Sequence, residues 1–384
     1  MLRFLTAGES HGKCLTAIIE GLPSGIDINE EYINKNLYRR QLGHGRGGRM
    51  KLETDTVEIT SGVRHGKTLG SPVCLVIFNH DYQNWTDIMS IAKNDAIDMK
   101  KVTRPRPGHA DLSGSIKYRH KDIRNILERA SARETAIRTA VGSVAMALLE
   151  SFEIQICSYV ISIGAASFVG HPDITPGLLE IIEASPVRCP DKETEALMIK
   201  AIDSAKASGD SLGGSFRVAA KNIPVGLGSH VHWDRRLDAN LSRAMMSIPG
   251  IKGVEIGAGF NAARLPGSKI HDEILYDDSF YRGTNNAGGI EGGISNGEDI
   301  LITCGMKPIP TLLSPLQSVD LESKEAFPAS IERSDVCAVP AASIVGEAAA
   351  SFELAAGLIE KFGGDSLEEM LSNYNNYMNY VRGI

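Results

Sequence analysis

Apolar and polar positions along the chain fall into two rhythms. Short runs rich in β-branched residues, bounded by Gly, Pro or Asn, predict strands over residues 2–6, 56–60, 73–78, 154–163, 214–220, 254–259 and 300–306. Apolar residues recurring every three or four positions predict helices over residues 29–40, 135–151, 194–208, 235–247 and 340–362. Residues 367–380 read as a polar helix with several Tyr and Asn, inside a helical tail over 366–384. The role of the tail is open, a neighbouring subunit being one surface for it to pack on. No low-complexity linker divides the chain and no period of 20–50 residues repeats, so the pattern alone predicts one α/β-type domain over 1–384. Residues 43–49, 79–101 and 287–297 carry too much glycine or polarity for a regular element, and such loops in a compact domain are commonly functional.

Composition narrows the class. The 384 residues are 42% hydrophobic and 23% charged, as in an ordinary globular protein. No apolar run reaches the 18 or so residues of a membrane span, and residues 1–12 carry no apolar signal core, so a cytoplasmic protein is expected. The six cysteines show no C-x-x-C spacing, which favours reduced thiols over disulfides or zinc. His230 and His232 lack a third ligand of suitable spacing, so no metal is expected. The net charge of −7 hides an asymmetry: residues 1–140 carry 22 Lys and Arg against 16 Asp and Glu, the remainder 18 against 31. A basic segment in an acidic chain points to a local anionic ligand. The basic residues lie among glycines without interleaved aromatics, which argues for a small phosphorylated or carboxylated molecule and against nucleic acid.

Two segments carry candidate proton chemistry. Gly8-Glu9-Ser10-His11-Gly12 and Arg106-Pro107-Gly108-His109-Ala110-Asp111 each set a histidine in a tight, glycine-flanked stretch. Histidine's ordinary pKa of about 6.5 suits it to proton transfer near neutrality. The first segment also fits G-x-S-x-G, but only seven residues precede Gly8, too few for the strand and loop that build a hydrolase oxyanion hole. Arg39, Arg40, Arg46 and Arg49 cluster at and beyond a helix end; dipole pairing accounts for the first two, whereas Arg46 and Arg49 in a glycine loop suit anion contact. Ser131-x-x-Glu134 is a capping-box pattern that predicts a helix starting at Ser131, its N–H groups near Arg129 and Arg133. Asp335 beside Arg333 reads either as an ion pair or as a general base held by one. Lys307-Pro308-Ile309-Pro310-Thr311 puts a lysine at a strand end on a stiff turn, either a phosphate contact or simply a turn.

Together these segments resemble the chorismate synthase family, of the compact monofunctional bacterial type, over residues 1–362. The resemblance rests on Gly8–Gly12 through Glu20-Gly21-Leu22-Pro23, on residues 128–144 around Ser131-Ala132-Arg133, and on Arg333-Ser334-Asp335 through Glu347-Ala348. Residues 106–111, 252–257 and 286–297 lie between them in the family's order. It implies an α+β fold, a β-α-β sandwich with a helical core layer between antiparallel sheets, assembled as a homotetramer. It implies a 1,4-anti elimination of phosphate from 5-enolpyruvylshikimate 3-phosphate to chorismate, requiring reduced FMN (FMNH2) without net redox change. By position, His11 would protonate or hydrogen-bond the departing phosphate and His109 would stabilise charge on the reduced flavin. Asp335 would take a proton from the flavin, with Ser10 and Ser131 assisting. Arg49, Arg106, Arg133 and Arg333 would hold substrate and flavin anions. The family's FMN contacts fall on Ser131, Ala132, Arg133, Pro249, Gly250, Gly292, Lys307, Pro308, Ile309, Pro310, Thr311 and Arg333; Pro249-Gly250 stands where many relatives carry Asn-Ala. Arg40 and Arg46 match NADP-type positions, yet substrate contact and loop closure suit them better, because a monofunctional enzyme takes its reduced flavin from an external source. A flavin-dependent oxidoreductase using the same pocket and a non-catalytic anion-binding module are the rival readings.

Overall fold

The computed structural model describes residues 1–47, 54–93, 100–170, 172–332 and 334–384. Period-two patterning near the N-terminus builds a four-stranded antiparallel sheet in the order Arg3–Ala7, Cys14–Glu20, Val73–Phe78, Val57–Ser61. Leu15, Ala17, Ile19, Leu75 and Ile77 turn inward and are buried, while Leu5 and Ile18 pair on the outer face and stay exposed. A second antiparallel sheet runs Ile251–Ile256, Ile300–Met306, Gly214–Lys221, Gln155–Ile163, Ala166–Ser167. The strands of both sheets pair antiparallel, so the class is α+β and not the α/β type that the pattern alone predicts.

The helices are α1 (Glu30–Gln41), α2 (Asp111–Tyr118), α3 (Arg124–Ala130), α4 (Thr135–Glu150), α5 (Pro176–Ala184), α6 (Lys192–Ser208), α7 (Leu237–Met246), α8 (Val339–Phe362) and α9 (Leu367–Arg382). Helices α4 and α8 are apolar nearly all round, the mark of a helix buried on every side. They pack on each other, α4 against the first sheet and α8 against the second, with α1 and α7 beside them. This is the layering the family resemblance implies. At the crossing a Cβ on Gly142 would sit 2.3 Å from the Ala348 Cβ, so the two backbones approach as closely as only glycine permits. By length and composition α8 could cross a membrane, but most of it is buried in the protein's own core.

Most predicted elements stand within a few residues of their expected bounds; helices α2, α3 and α5, the strand Cys14–Glu20 and several short strands, among them Ser24–Asp27, Ile274–Asp277 and Ser279–Arg282, escaped prediction. Helix α4 begins at Thr135, as the periodicity predicts and not at Ser131 as the capping-box pattern does. Ser131 instead caps a single 3-10 turn, its hydroxyl accepting from the Arg133 N–H at 3.2 Å, while Glu134 turns away to accept from Thr6 Oγ1. Within residues 287–297 glycine permits a short hairpin, Ile290–Glu291 with Ile294–Ser295. Helix α9 opens with a capping box, Ser366 with Glu369, and packs on its own protomer by edge contacts of Tyr374 with Phe152 and Phe362. All six cysteines are free thiols.

Candidate active site

A cavity of about 820 Å³ opens between the start of α4, the turn at Ser10-His11, and the loops after the strands of the second sheet. Its wall includes Ser10, His11, Arg40, Arg46, Arg106, His109, Ser131, Ala132, Arg133, Pro249, Gly250, Asp335 and the whole run Lys307-Pro308-Ile309-Pro310-Thr311. These are nearly all of the residues singled out above. Gly292 is not among the lining residues; it lies in the hairpin turn after Glu291. Arg49 and Arg333 lie outside the described residues.

Local structure explains how each group arrives. Gly8 has φ of +110°, and a Cβ there would lie 2.3 Å from the Cys14 carbonyl, so the turn closes only around glycine. Asn79 clamps this turn by donating to the carbonyls of Glu9 and Gly12, 3.2 and 2.7 Å away. The Ser10 hydroxyl donates to Ser131 at 3.2 Å, and the Ser10 N–H donates to the Glu128 carbonyl at 2.9 Å. His11 stacks on Trp85 with ring centroids 3.9 Å apart. Its Nδ1 and its backbone N–H both reach the Glu128 carboxylate, at 2.9 and 2.8 Å.

His109 repeats the arrangement. Its Nδ1 hydrogen-bonds Asp111, which is fully buried at the start of α2 and also receives Arg106 through Nε and the backbone N–H, at 2.8 and 3.0 Å. A carboxylate only accepts, so Nδ1 carries the hydrogen, while Arg106 Nη2 also lies beside the ring, 3.4 Å from Nε2. Burial by itself would raise the Asp111 pKa; the hydrogen bonds from His109 and Arg106 outweigh it and hold the carboxyl well below the usual range. Glu128 behaves alike: burial opposes, and His11 and Arg124 prevail, so its carboxyl also lies below its ordinary value.

Asp335 takes its orientation from two donors, Arg46 at 2.7 Å and the Gly47 N–H at 2.6 Å. Arg333, the expected partner in sequence, lies outside the described residues. Arg40 belongs to the site more than to a solvated helix end. Its guanidinium donates to Thr135 Oγ1 at 2.9 Å and to the Ala132 carbonyl at 3.1 Å, and it pairs with Asp55. Burial, offset in part by Asp55, pushes the Arg40 pKa down to about 10, so it stays cationic at neutral pH. Arg133 pairs with the same Asp55 and donates to Asn79 at 2.9 Å. Arg39, one position earlier, points the other way, to Glu347 and Glu183 at 2.8 and 2.6 Å. Burial, with Lys252 nearby, pulls Lys307 below the ordinary lysine value.

Among the described lining residues the cations are Arg40, Arg46, Lys100, Lys101, Arg106, Arg124, Arg133 and Lys307, and the acids are Glu332 and Asp335. Such a wall stabilises a multiply charged anion more than water does, because its charges are already in place. Val102, Leu127, Ile248, Pro249, Met306 and Pro308 supply apolar surface in the same cavity. Trp85 and Arg124 line the cavity, and Glu128, Asp111 and Asp55 hold lining side chains, yet none of the five was singled out from the sequence. The contacts that bring them to the cavity, Glu128 and Trp85 to His11 and Asp55 to Arg133, are distant in sequence, although Arg124 and Glu128 pair across one helical turn.

The chain matches the family model described as chorismate synthase over residues 2–359. The chorismate synthase of Desulforamulus reducens is 58% identical over 388 aligned residues that span 100% of both chains. That of Geotalea daltonii is 57% identical over 392, again spanning 100% of both. A crystal structure of a chorismate synthase superposes with a TM-score of 0.81 at 46% identity, covering 100% of this chain and 99% of that one. A basic cavity flanked by two carboxylate-held histidines thus sits on a shared fold and a full-length likeness, and the chain belongs to the chorismate synthase family of carbon–oxygen lyases.

Proposed function

We propose that the protein converts 5-enolpyruvylshikimate 3-phosphate to chorismate and phosphate by a 1,4-anti elimination that needs reduced FMN and leaves no net redox change. The observation that carries this is one cavity holding His11, His109 and Asp335 within a wall of arginines and lysines. Its volume, about 820 Å³, is at the upper end of ordinary ligand sites. The residues present suit a flavin beside a phosphorylated dicarboxylate: the apolar stretch at Pro249, Met306 and Pro308 suits a ring system, and Arg40, Arg133 and the start of α4 suit a phosphate. Ser131, Ala132, Gly250 and residues 307–311 are the wall segments assigned to the cofactor. When bound, reduced FMN supplies an electron-rich partner for breaking the carbon–oxygen bond and is recovered unchanged.

The chain's own groups divide the remaining work. With a hydrogen on both ring nitrogens, His11 presents Nε2–H to the departing phosphate oxygen, donates that hydrogen and is left as the neutral Nδ1–H form held by Glu128. His109, when it carries a hydrogen on both ring nitrogens, presents Nε2–H to negative charge on the cofactor. Asp335, aimed by Arg46 and Gly47, accepts a proton at its carboxylate. Ser10 and Ser131 assist through their hydrogen-bonded pair. Arg106, Arg133, Arg49 and Arg333 are assigned to the anions. Arg40 and Arg46 act on substrate and loop closure, since Arg40 is held by Thr135 and Arg46 by Asp335. The protein works as one 1–384 domain in a cytoplasmic homotetramer supplied with reduced flavin from outside. The apolar outer strand face around Leu5 and Ile18 favours self-association.

An anaerobic assay with dithionite-reduced FMN and the phosphorylated substrate tests the reaction. Chorismate should form with catalytic flavin and without stoichiometric use of reduced nicotinamide. Nicotinamide consumption matching product would instead identify an oxidoreductase.

A further inference from the structure

We propose that Glu128 is a positioning residue for His11, fixing the ring as the Nδ1–H tautomer so that Nε2 alone faces the ligand cavity. Three donors converge on this one buried side chain. The His11 backbone N–H reaches Oε2 at 2.8 Å, His11 Nδ1 lies 2.9 and 3.0 Å from the two oxygens, and Arg124 Nη1 reaches Oε1 at 3.0 Å. With two donors already charged or fixed in the backbone, the carboxylate stays an acceptor, and a neutral His11 must carry its hydrogen on Nδ1.

Orientation is fixed from a second side. Trp85 stacks on the imidazole with the planes 24° apart, and is itself held by an indole hydrogen bond to Asp81. Turning the ring over would set a carbon against the carboxylate and break the bond to Glu128. The same three-part construction recurs at the other histidine, where Asp111 receives His109 Nδ1 and is clamped by Arg106. Two independent carboxylate–arginine supports behind two histidines of one cavity argue for tautomer control over a chance ion pair. Behind metal-bound histidines the loss of such an outer carboxylate commonly costs 10- to 100-fold in activity, and in a Ser-His-Asp triad the wrong tautomer costs more.

The activity arm of the test rests on the proposed elimination, whereas the spectroscopic arm does not. Protein labelled with ¹⁵N-histidine is titrated by NMR without ligand, the His11 signals being assigned by their loss in His11→Gln. At the alkaline end the wild type should show His11 as the Nδ1–H form. Glu128→Gln, whose amide can accept or donate, should release it to a mixture, and Glu128→Asp should retain it. In the anaerobic assay Glu128→Gln should lower kcat about 10- to 100-fold with KM for the substrate within about threefold, and Glu128→Asp should recover most of that loss. An Nε2–H form in the wild type overturns the proposal whether or not a Glu128 variant folds. So does an unchanged tautomer in Glu128→Gln, or a loss confined to KM. A wild type that shows the Nδ1–H form but makes no chorismate upholds the positioning of His11 and refutes the proposed reaction instead.

Discussion

At the scale of single residues, the site keeps its carboxylates ionised against the pull of burial. Asp111 and Glu128 are buried, yet their neighbours hold both below the ordinary carboxylate pKa. The unfolded chain therefore binds protons at a higher pH than the folded one. Stability from these groups is present above the unfolded value of about 4 and lost as pH falls toward the folded values. Asp111→Asn removes one such group. Thermal melts should show the wild-type Tm falling as pH drops from about 4 toward about 2, and the variant, lower throughout, falling less over that interval. Which of these residues could be read from sequence depended on range. Ser10, His11, His109 and Asp335 stand out because glycine or arginine flanks them locally. Glu128 lies 117 positions from the histidine it holds, and no local pattern reports that contact.

At the scale of elements, glycine decides where backbones meet. Gly8 allows the tight turn carrying Ser10 and His11, and Gly142 allows α4 and α8 to cross. A methyl group should act differently at the two places. Gly142→Ala drives apart the helices of the central layer, costing about 1–3 kcal/mol by overpacking, seen as a lower Tm in calorimetry. Gly8→Ala must change a φ of +110° and displace the turn, so steady-state kinetics should show kcat falling far more than the melting temperature suggests. Long periodic elements were legible because many positions repeat one signal. Helix α3 spans 7 residues without a side-chain cap, too little periodicity to find, although it carries both Arg124 and Glu128. Periodicity placed the start of α4 correctly at 135, whereas the capping-box pattern at Ser131 placed it too early, because Glu134 bonds Thr6, a partner far away in sequence, and leaves the cap.

Over the whole molecule, an acidic protein encloses a basic cavity. The net charge of −7 repels anions at long range while the wall attracts them at short range. Raising ionic strength from about 20 mM to about 500 mM should screen the partly exposed wall and lower kcat/KM for the phosphorylated substrate, with kcat changing less. Light scattering tests the assembly: a tetramer of the 41.3 kDa chain is expected, and Leu5→Glu with Ile18→Glu, on the exposed outer strands, should reduce the mass. The charge asymmetry that predicts an anion site is plain in the sequence. The stacking of sheet, helices and sheet is not, since periodicity gives each element a buried face without naming what covers it; the family resemblance supplied that.

The cavity wall draws residues from Ser10 to Val345. During synthesis the turn at Ser10 and His11 leaves the ribosome some three hundred residues before the helix that completes the cavity's enclosure. Neither substrate nor flavin can then guide the folding of the first half, which has to reach its shape by packing alone, and a nascent chain interrupted before α8 would be left with half a vessel and nothing to hold in it.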